Sequence, residues 1–260
     1  MKKRHQIIYV IFETIISVVF SIFVGMLISA TLKNIKATKM VKDFISQGVF
    51  EQNYGSDTEI YVVYTDEQID DTIKFTIDDL YLGNTGDLYV MPISRVGSNE
   101  LISGYMSYQF GGHAGVIGYF DNKEVLIEAM GGTAGEAYVF RHYDNIDVDL
   151  YKPEERSVIG LRIKNASIEE REQAYRYAST LIGKDYNYWY IFFNEDRYYC
   201  SDLCTRVYGE ESGLNYNIDK DGGYVSIQDM MVFGDTYISF FKYIDPNTGK
   251  IRIYYLKSRS

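Results

Sequence analysis

The sequence holds few groups able to make or break a covalent bond: two cysteines, Cys200 and Cys204, and three histidines, His5, His113 and His142. Cys200 stands in Tyr198-Tyr199-Cys200-Ser201-Asp202-Leu203, where an aromatic stretch meets the expected start of a helix running through Leu203, Val207 and Tyr208. Amide groups at a helix N-terminus favour a thiolate and can lower a cysteine pKa from about 8.5 by one or more units. The commoner fate of a cysteine is burial as a small hydrophobe, and Cys204, one turn inside the same helix, fits that description. A Cys200–Cys204 disulfide is disfavoured, because helical geometry aims the two side chains poorly for it. Two cysteines and one nearby histidine do not supply the four ligands of a structural zinc site. No metal or cofactor is expected.

His5 belongs to the basic flank of an apolar segment, and His142 lies in the polar run Phe140-Arg141-His142-Tyr143-Asp144, which reads as surface. His113 differs, because in Phe110-Gly111-Gly112-His113-Ala114-Gly115-Val116-Ile117 a glycine pair leads into an apolar strand and leaves room beside the imidazole. Alone, a strand histidine is more often a satisfied core residue. A phosphate cradle does not fit these glycines, since neither dinucleotide nor P-loop spacing is present and no helix follows. Glu128, in Val125-Leu126-Ile127-Glu128-Ala129-Met130, must be paired or face solvent, because burying a lone carboxylate is costly. If this strand turns back on the His113 strand at Asp121-Asn122, Glu128 lies toward the same end as His113. A carboxylate on one imidazole nitrogen orients the ring and favours its charged form. Thiolate, imidazole and carboxylate then make a nucleophile, a base and an orienter.

Positioning them requires an α+β domain with a mostly antiparallel sheet and few helices. Runs at Glu59–Thr65, Asp87–Ile93, His113–Tyr119, Val125–Met130 and Ser157–Lys164 read as strands. A capping box at Ser167-Ile168-Glu169-Glu170 opens a helix carrying Ala174, Tyr177, Ala178, Leu181 and Ile182, and Gly183 stops it. Thr236–Tyr243 and Lys250–Leu256 flank a turn at Asp245-Pro246-Asn247-Thr248-Gly249 and predict a C-terminal hairpin. The aromatic stretch Tyr186–Phe193 reads as core packing ahead of a cleft lining.

Residues Ile7–Leu32 carry one charge, Glu13, and are long enough to cross a hydrocarbon layer of roughly 30 Å. Their length favours an uncleaved anchor over a signal peptide, although Lys2, Lys3 and Arg4 precede them and Ile28-Ser29-Ala30 is a passable cleavage motif. The net charge of −10 divides unevenly: residues 1–42 hold seven cations against Glu13, a net of +6, and the remainder carries −16. Such an acidic body excludes nucleic acid as a partner, since neutralising phosphates takes a basic face. The short tail before the span points to a cytoplasmic N-terminus and an extracytoplasmic body. The chain then divides into a basic tail (1–6), the anchor (7–32), a stalk (33–56), an acidic extension (57–83), the main domain (84–233) and the hairpin (234–260).

Five motifs in order resemble the circularly permuted, papain-like cysteine hydrolases related to the NlpC peptidases, the YiiX-like group. They are Gly86-Asp87-Leu88, His113-Ala114-Gly115, Glu128-Ala129, Gly183-Lys184-Asp185-Tyr186-Asn187 and Tyr199-Cys200-Ser201-Asp202-Leu203. Histidine before cysteine is the mark of the permutation, and Asp202 departs from a commoner Glu. The resemblance covers roughly residues 84–233 and implies Cys200 as nucleophile, His113 as base and Glu128 as orienter. It implies a peptide or small-molecule amide as substrate, with cell-envelope or peptidoglycan-type peptides within reach of an exported domain. Two alternatives stay open: a lipid acyl hydrolase or acyltransferase of the same fold, and a non-catalytic module that binds an envelope ligand.

Overall fold

In the computed structural model the described residues are 2–66, 83–91, 112–120, 123–131, 138–142, 157–189, 196–218, 225–232, 235–245 and 247–259. The chain opens with helix α1 (Lys2–Ser46), then strands β1 (Val49–Tyr54), β2 (Thr58–Thr65), β3 (Leu88–Met91), β4 (His113–Phe120), β5 (Lys123–Met130), β6 (Tyr138–His142) and β7 (Val158–Ile163). Helix α2 (Ile168–Thr180), short strands β8 (Asp185–Tyr186) and β9 (Arg197–Tyr198), helices α3 (Cys200–Arg206) and α4 (Ile227–Val232), and strands β10 (Thr236–Ile244) and β11 (Ile251–Ser258) complete it. Among the described residues the strands form one sheet in the order β1-β2-β11-β10-β7-β3-β4-β5-β6-β8-β9. Pairing is antiparallel except at β2/β11 and β8/β9, as expected of a mostly antiparallel α+β domain.

The central strands are apolar without alternation: every residue of β3 and β7 is buried, the pattern of a sheet covered on both faces. One face carries the larger core, where Leu88, Val116, Ile127 and Leu161 meet Ala174 and Ala178 of α2 and Leu203 and Cys204 of α3. The other holds Tyr89, Met91, Ile117, Leu126 and Phe240. Ser167 caps α2 through the expected box: its Oγ accepts from Glu170 N–H at 3.2 Å while Glu170 accepts from the Ser167 N–H at 2.8 Å.

One stretch departs from the sequence expectation. The stretch 33–56 does not stand clear as a stalk. The helix continues unbroken to Ser46, burying Ala37 and Phe44 and half-burying Met40, Val41 and Ile45, because these recur at i, i+3, i+4, i+7 and i+8 on one stripe. Within the same stretch, Glu51 to Tyr54 lies in edge strand β1. The C-terminal hairpin forms as expected, β10 pairing antiparallel with β11, and it joins the main sheet with β10 on β7 and β11 on β2. His142 closes β6, paired in register with Leu126. The Asp121-Asn122 turn and most of the acidic extension (67–82) lie outside the described residues.

Asp87 ties the sheet to α2. Its fully buried carboxylate takes a two-pronged hydrogen bond from Arg162 on β7 (2.8 and 2.7 Å), one from the Asn84 N–H (2.9 Å), and lies 3.7 Å from Arg171 on α2. Removing one member of a buried ion pair leaves the others charged and uncompensated, at roughly 3–5 kcal/mol. Asp87→Asn is therefore expected to lower the unfolding free energy by about 3 kcal/mol in chemical denaturation followed by circular dichroism. An unchanged denaturation midpoint would contradict this role for the Gly86-Asp87 motif.

Candidate active site

Backbone register brings two of the three sequence candidates, His113 and Glu128, together with a tyrosine. In the β4/β5 ladder Gly115 faces Glu128, and in β3/β4 Gly115 faces Tyr89. Side chains two residues apart on a strand share a face, so His113, Tyr89 and Glu128 converge around a position that has no side chain of its own. A Cβ on Gly115 would lie 2.6 Å from the Tyr89 ring and 3.2 Å from Glu128 Cβ. The glycine of the His-x-Gly motif is thus required by space.

The Glu128 carboxylate is completely buried and meets His113 Nε2 at 2.6 Å through Oε2. The same oxygen accepts the Tyr89 hydroxyl at 2.7 Å. The Tyr89 ring also packs edge-on against the imidazole, with centroids 5.9 Å apart. Two donors on one carboxylate oxygen, in a dry setting, hold the carboxylate in place. Tyr89 was not singled out from sequence: it follows Gly86-Asp87-Leu88 and reads as ordinary strand core, and only the β3/β4 register shows what its hydroxyl meets.

Cys200 is the first residue of α3 and lies beside His113, close enough for each to govern the other's ionisation. With Nε2 committed to Glu128, Nδ1 is the imidazole atom left for the thiol. Burial acts to raise the thiol pKa, but the hydrogen bond and charge of His113, with the backbone N–H groups of Ser201 and Ala114, outweigh it and bring it below the usual thiol value. Burial likewise acts to lower the His113 pKa, and the hydrogen bonds to Cys200 and Glu128 overturn that, raising it to about 10. Near neutral pH this favours a thiolate–imidazolium pair. Cys204 behaves oppositely: it is fully buried and its thiol is pushed well up, chiefly by burial.

The remaining motif residues support rather than face the centre. Asp202 is buried in the first turn of α3 and pairs with Arg206 at 2.8 Å. Burial pushes its carboxyl up to about 6 against the pull of that guanidinium. Arg206 in turn lies 4.9 Å from the centre of the Tyr198 ring, fastening α3 to β9. In the Gly183–Asn187 turn, the Gly183 N–H donates to Val139 O at 2.8 Å and the Asn187 N–H to Tyr198 O at 3.0 Å, so β6, β8 and β9 are stitched together just ahead of Cys200. Of the aromatic stretch, Tyr186 is buried in the core whereas Tyr188 and Trp189 are exposed, and 190–193 lie outside the described residues. Among the described residues no cluster suited to hold a metal ion is found.

Residues 97–224 match the model of the permuted papain-like amidase enzymes, YaeF/YiiX, C92 family. The matched stretch is similar to the permuted papain-like amidases. The family implies hydrolase activity of the amidase kind. The fold accords with it: a mixed sheet with few helices, preceded by an N-terminal helix long and apolar enough to cross a membrane. No curated protein matches the chain at a significant level. Solved structures do, among them the crystal structure of metalloprotein yiiX from Escherichia coli O157:H7, at 15% identity and a TM-score of 0.37, over 66% of this chain and 97% of that one.

Proposed function

We propose that the protein is a membrane-anchored cysteine amidase or peptidase in which Cys200 is the nucleophile, His113 the acid–base group and Glu128 its orienter. The observation that carries this is the buried 2.6 Å contact of Glu128 with His113 Nε2, which leaves the opposite face of the same ring to Cys200. The Cys200 thiolate adds to the amide carbonyl and forms a C–S bond. His113, as imidazolium, gives its Nδ1 proton to the departing nitrogen as the C–N bond breaks, leaving a thioester and a neutral imidazole. The imidazole then takes a proton from water while the resulting hydroxide equivalent attacks the thioester. The acid product leaves, and thiolate and imidazolium are restored. The Cys200 N–H, at the first position of α3, has no acceptor within its own helix and suits a developing oxyanion.

Residues 7–32 hold the domain at a bilayer, and the acidic body faces the extracytoplasmic side, within reach of cell-envelope or peptidoglycan-type peptides. Its net charge disfavours anionic polymers as substrates.

The test is the pH dependence of Cys200 alkylation by iodoacetamide beside that of amide turnover. A lowered thiol pKa means that alkylation is already fast near neutrality and declines only as acid protonates the thiolate. A raised His113 pKa means that the proton needed by the leaving group is present at neutral pH and lost as pH climbs through about 10, so turnover falls on that limb. Alkylation that rises with an ordinary midpoint near 8.5 would overturn the assignment.

A further inference from the structure

We infer that Lys33, at the exit of the apolar span, is a positioning residue for the Cys200–His113 pair, acting through Asp229 and helix α4; this rests on reading Cys200 as the nucleophile. Four lysines follow the span within ten residues. Lys36, Lys39 and Lys42 are exposed, as expected of side chains that reach for water or headgroups. Lys33 is buried instead, and its Nζ lies 2.6 Å from Asp229 Oδ1, with 10% and 1% of the two side chains exposed. Burying two charges is expensive unless geometry fixes them, so α1 is held to α4 at a defined point.

Asp229 passes that constraint on. Its other oxygen accepts from the Ser226 N–H at 2.7 Å and from the Ser226 hydroxyl at 2.6 Å. Two routes lead from here to the reacting groups. On one, Val225 donates its N–H to the Tyr199 hydroxyl at 3.1 Å and accepts from the Ser201 hydroxyl at 2.7 Å, gripping both neighbours of Cys200. On the other, Ile227 fills the space beside Gly112, the residue before His113. A Cβ there would lie 2.4 Å from Ile227 Cδ1, and Gly112 has φ +92°, which disfavours any side chain. The far end of α4 is held as well, by the Thr236 hydroxyl on Met230 O at 2.6 Å. One six-residue helix thus braces the backbone on either side of the pair, and the membrane helix sets where it sits.

The test uses the full chain in detergent, with Lys33→Met, Asp229→Asn and the double variant. Three readouts are taken: the pH profile of Cys200 alkylation, kcat and KM on an amide substrate, and the melting temperature. Lys33→Met is expected to move the alkylation midpoint up by about one pH unit and to lower kcat about tenfold, with KM within about twofold. The double variant leaves no orphaned charge, so it regains wild-type melting behaviour yet keeps the displaced profile, because the link is still missing. A Lys33→Met protein that melts lower but alkylates and turns over as the wild type does overturns the inference, as does a double variant with the wild-type profile. If Lys33→Met does not fold, the double variant decides. A wild-type thiol of ordinary reactivity would overturn the nucleophile reading itself, a result separate from these.

Discussion

Replacing Cys200 by alanine is expected to lower amide turnover by roughly 10⁴-fold or more, to the level that substrate binding and oxyanion contacts alone sustain. Nothing nearby can stand in for it. Cys204 lies one turn deeper, fully buried, with a thiol pushed well above its usual pKa, so it is neither ionised nor accessible. The change should be nearly silent for the fold, because Cys200 is only partly buried and packs at the border of the core. The measurement is turnover of peptide and lipid-ester substrates by wild type and Cys200→Ala, with Cys204→Ala as control. Cys204→Ala should keep the alkylation profile while losing some stability through a small cavity. Turnover by Cys200→Ala within tenfold of wild type would remove the cysteine mechanism altogether.

Glu128→Gln is expected to cost roughly 10²–10⁴-fold in turnover, the range associated with losing the partner that fixes a catalytic imidazole. The substitution conserves shape but not charge. Oε2 of Glu128 receives both His113 and the Tyr89 hydroxyl; an amide oxygen in its place could accept both but carries no charge, and an amide nitrogen facing Nε2 would impose the wrong tautomer. Glu128 is also one of the groups that raise the His113 pKa. Without its charge the imidazolium is less favoured and the Cys200 thiolate loses part of its support. The signature is therefore paired: turnover falls, and alkylation at neutral pH slows as the thiol midpoint rises. A variant with depressed turnover and an unchanged alkylation profile would mean that Glu128 acts elsewhere than through His113.

What could be read from the sequence follows from how local each signal is. Cys200 and His113 stand out as candidates because cysteine and histidine are few in this chain and these two sit in unusual aromatic and glycine settings, and Glu128 because it is a carboxylate inside an apolar strand. Helix α2 was legible from its capping box. Helix α4 was missed at six residues long, although Ser226-Ile227-Gln228-Asp229 carries a serine with a carboxylate three residues on, the same kind of signature. Strand β6 was missed because Tyr138–His142 mixes aromatic and charged residues and its apolar partners come from β5. Tyr89 and Lys33 were out of reach for a different reason. A tyrosine in an apolar strand and a lysine beside a membrane span are the default occupants of such places, and only long-range pairing, with β4 and with α4, reveals what they touch.

Helix α1 has one more consequence. With its apolar part seated in a bilayer as proposed, the helix runs on without a break from Leu32 to Ser46, about 20 Å at 1.5 Å per residue, and is docked on the domain along that length. A flexible tether would let an enzyme sample a hemisphere of space around its anchor; a rod does not. The catalytic centre would ride at one altitude and one tilt above the lipid, searching in two dimensions as the whole molecule diffuses. Substrates would be selected first by the height at which their scissile bond is presented and only afterwards by the chemistry of the cleft.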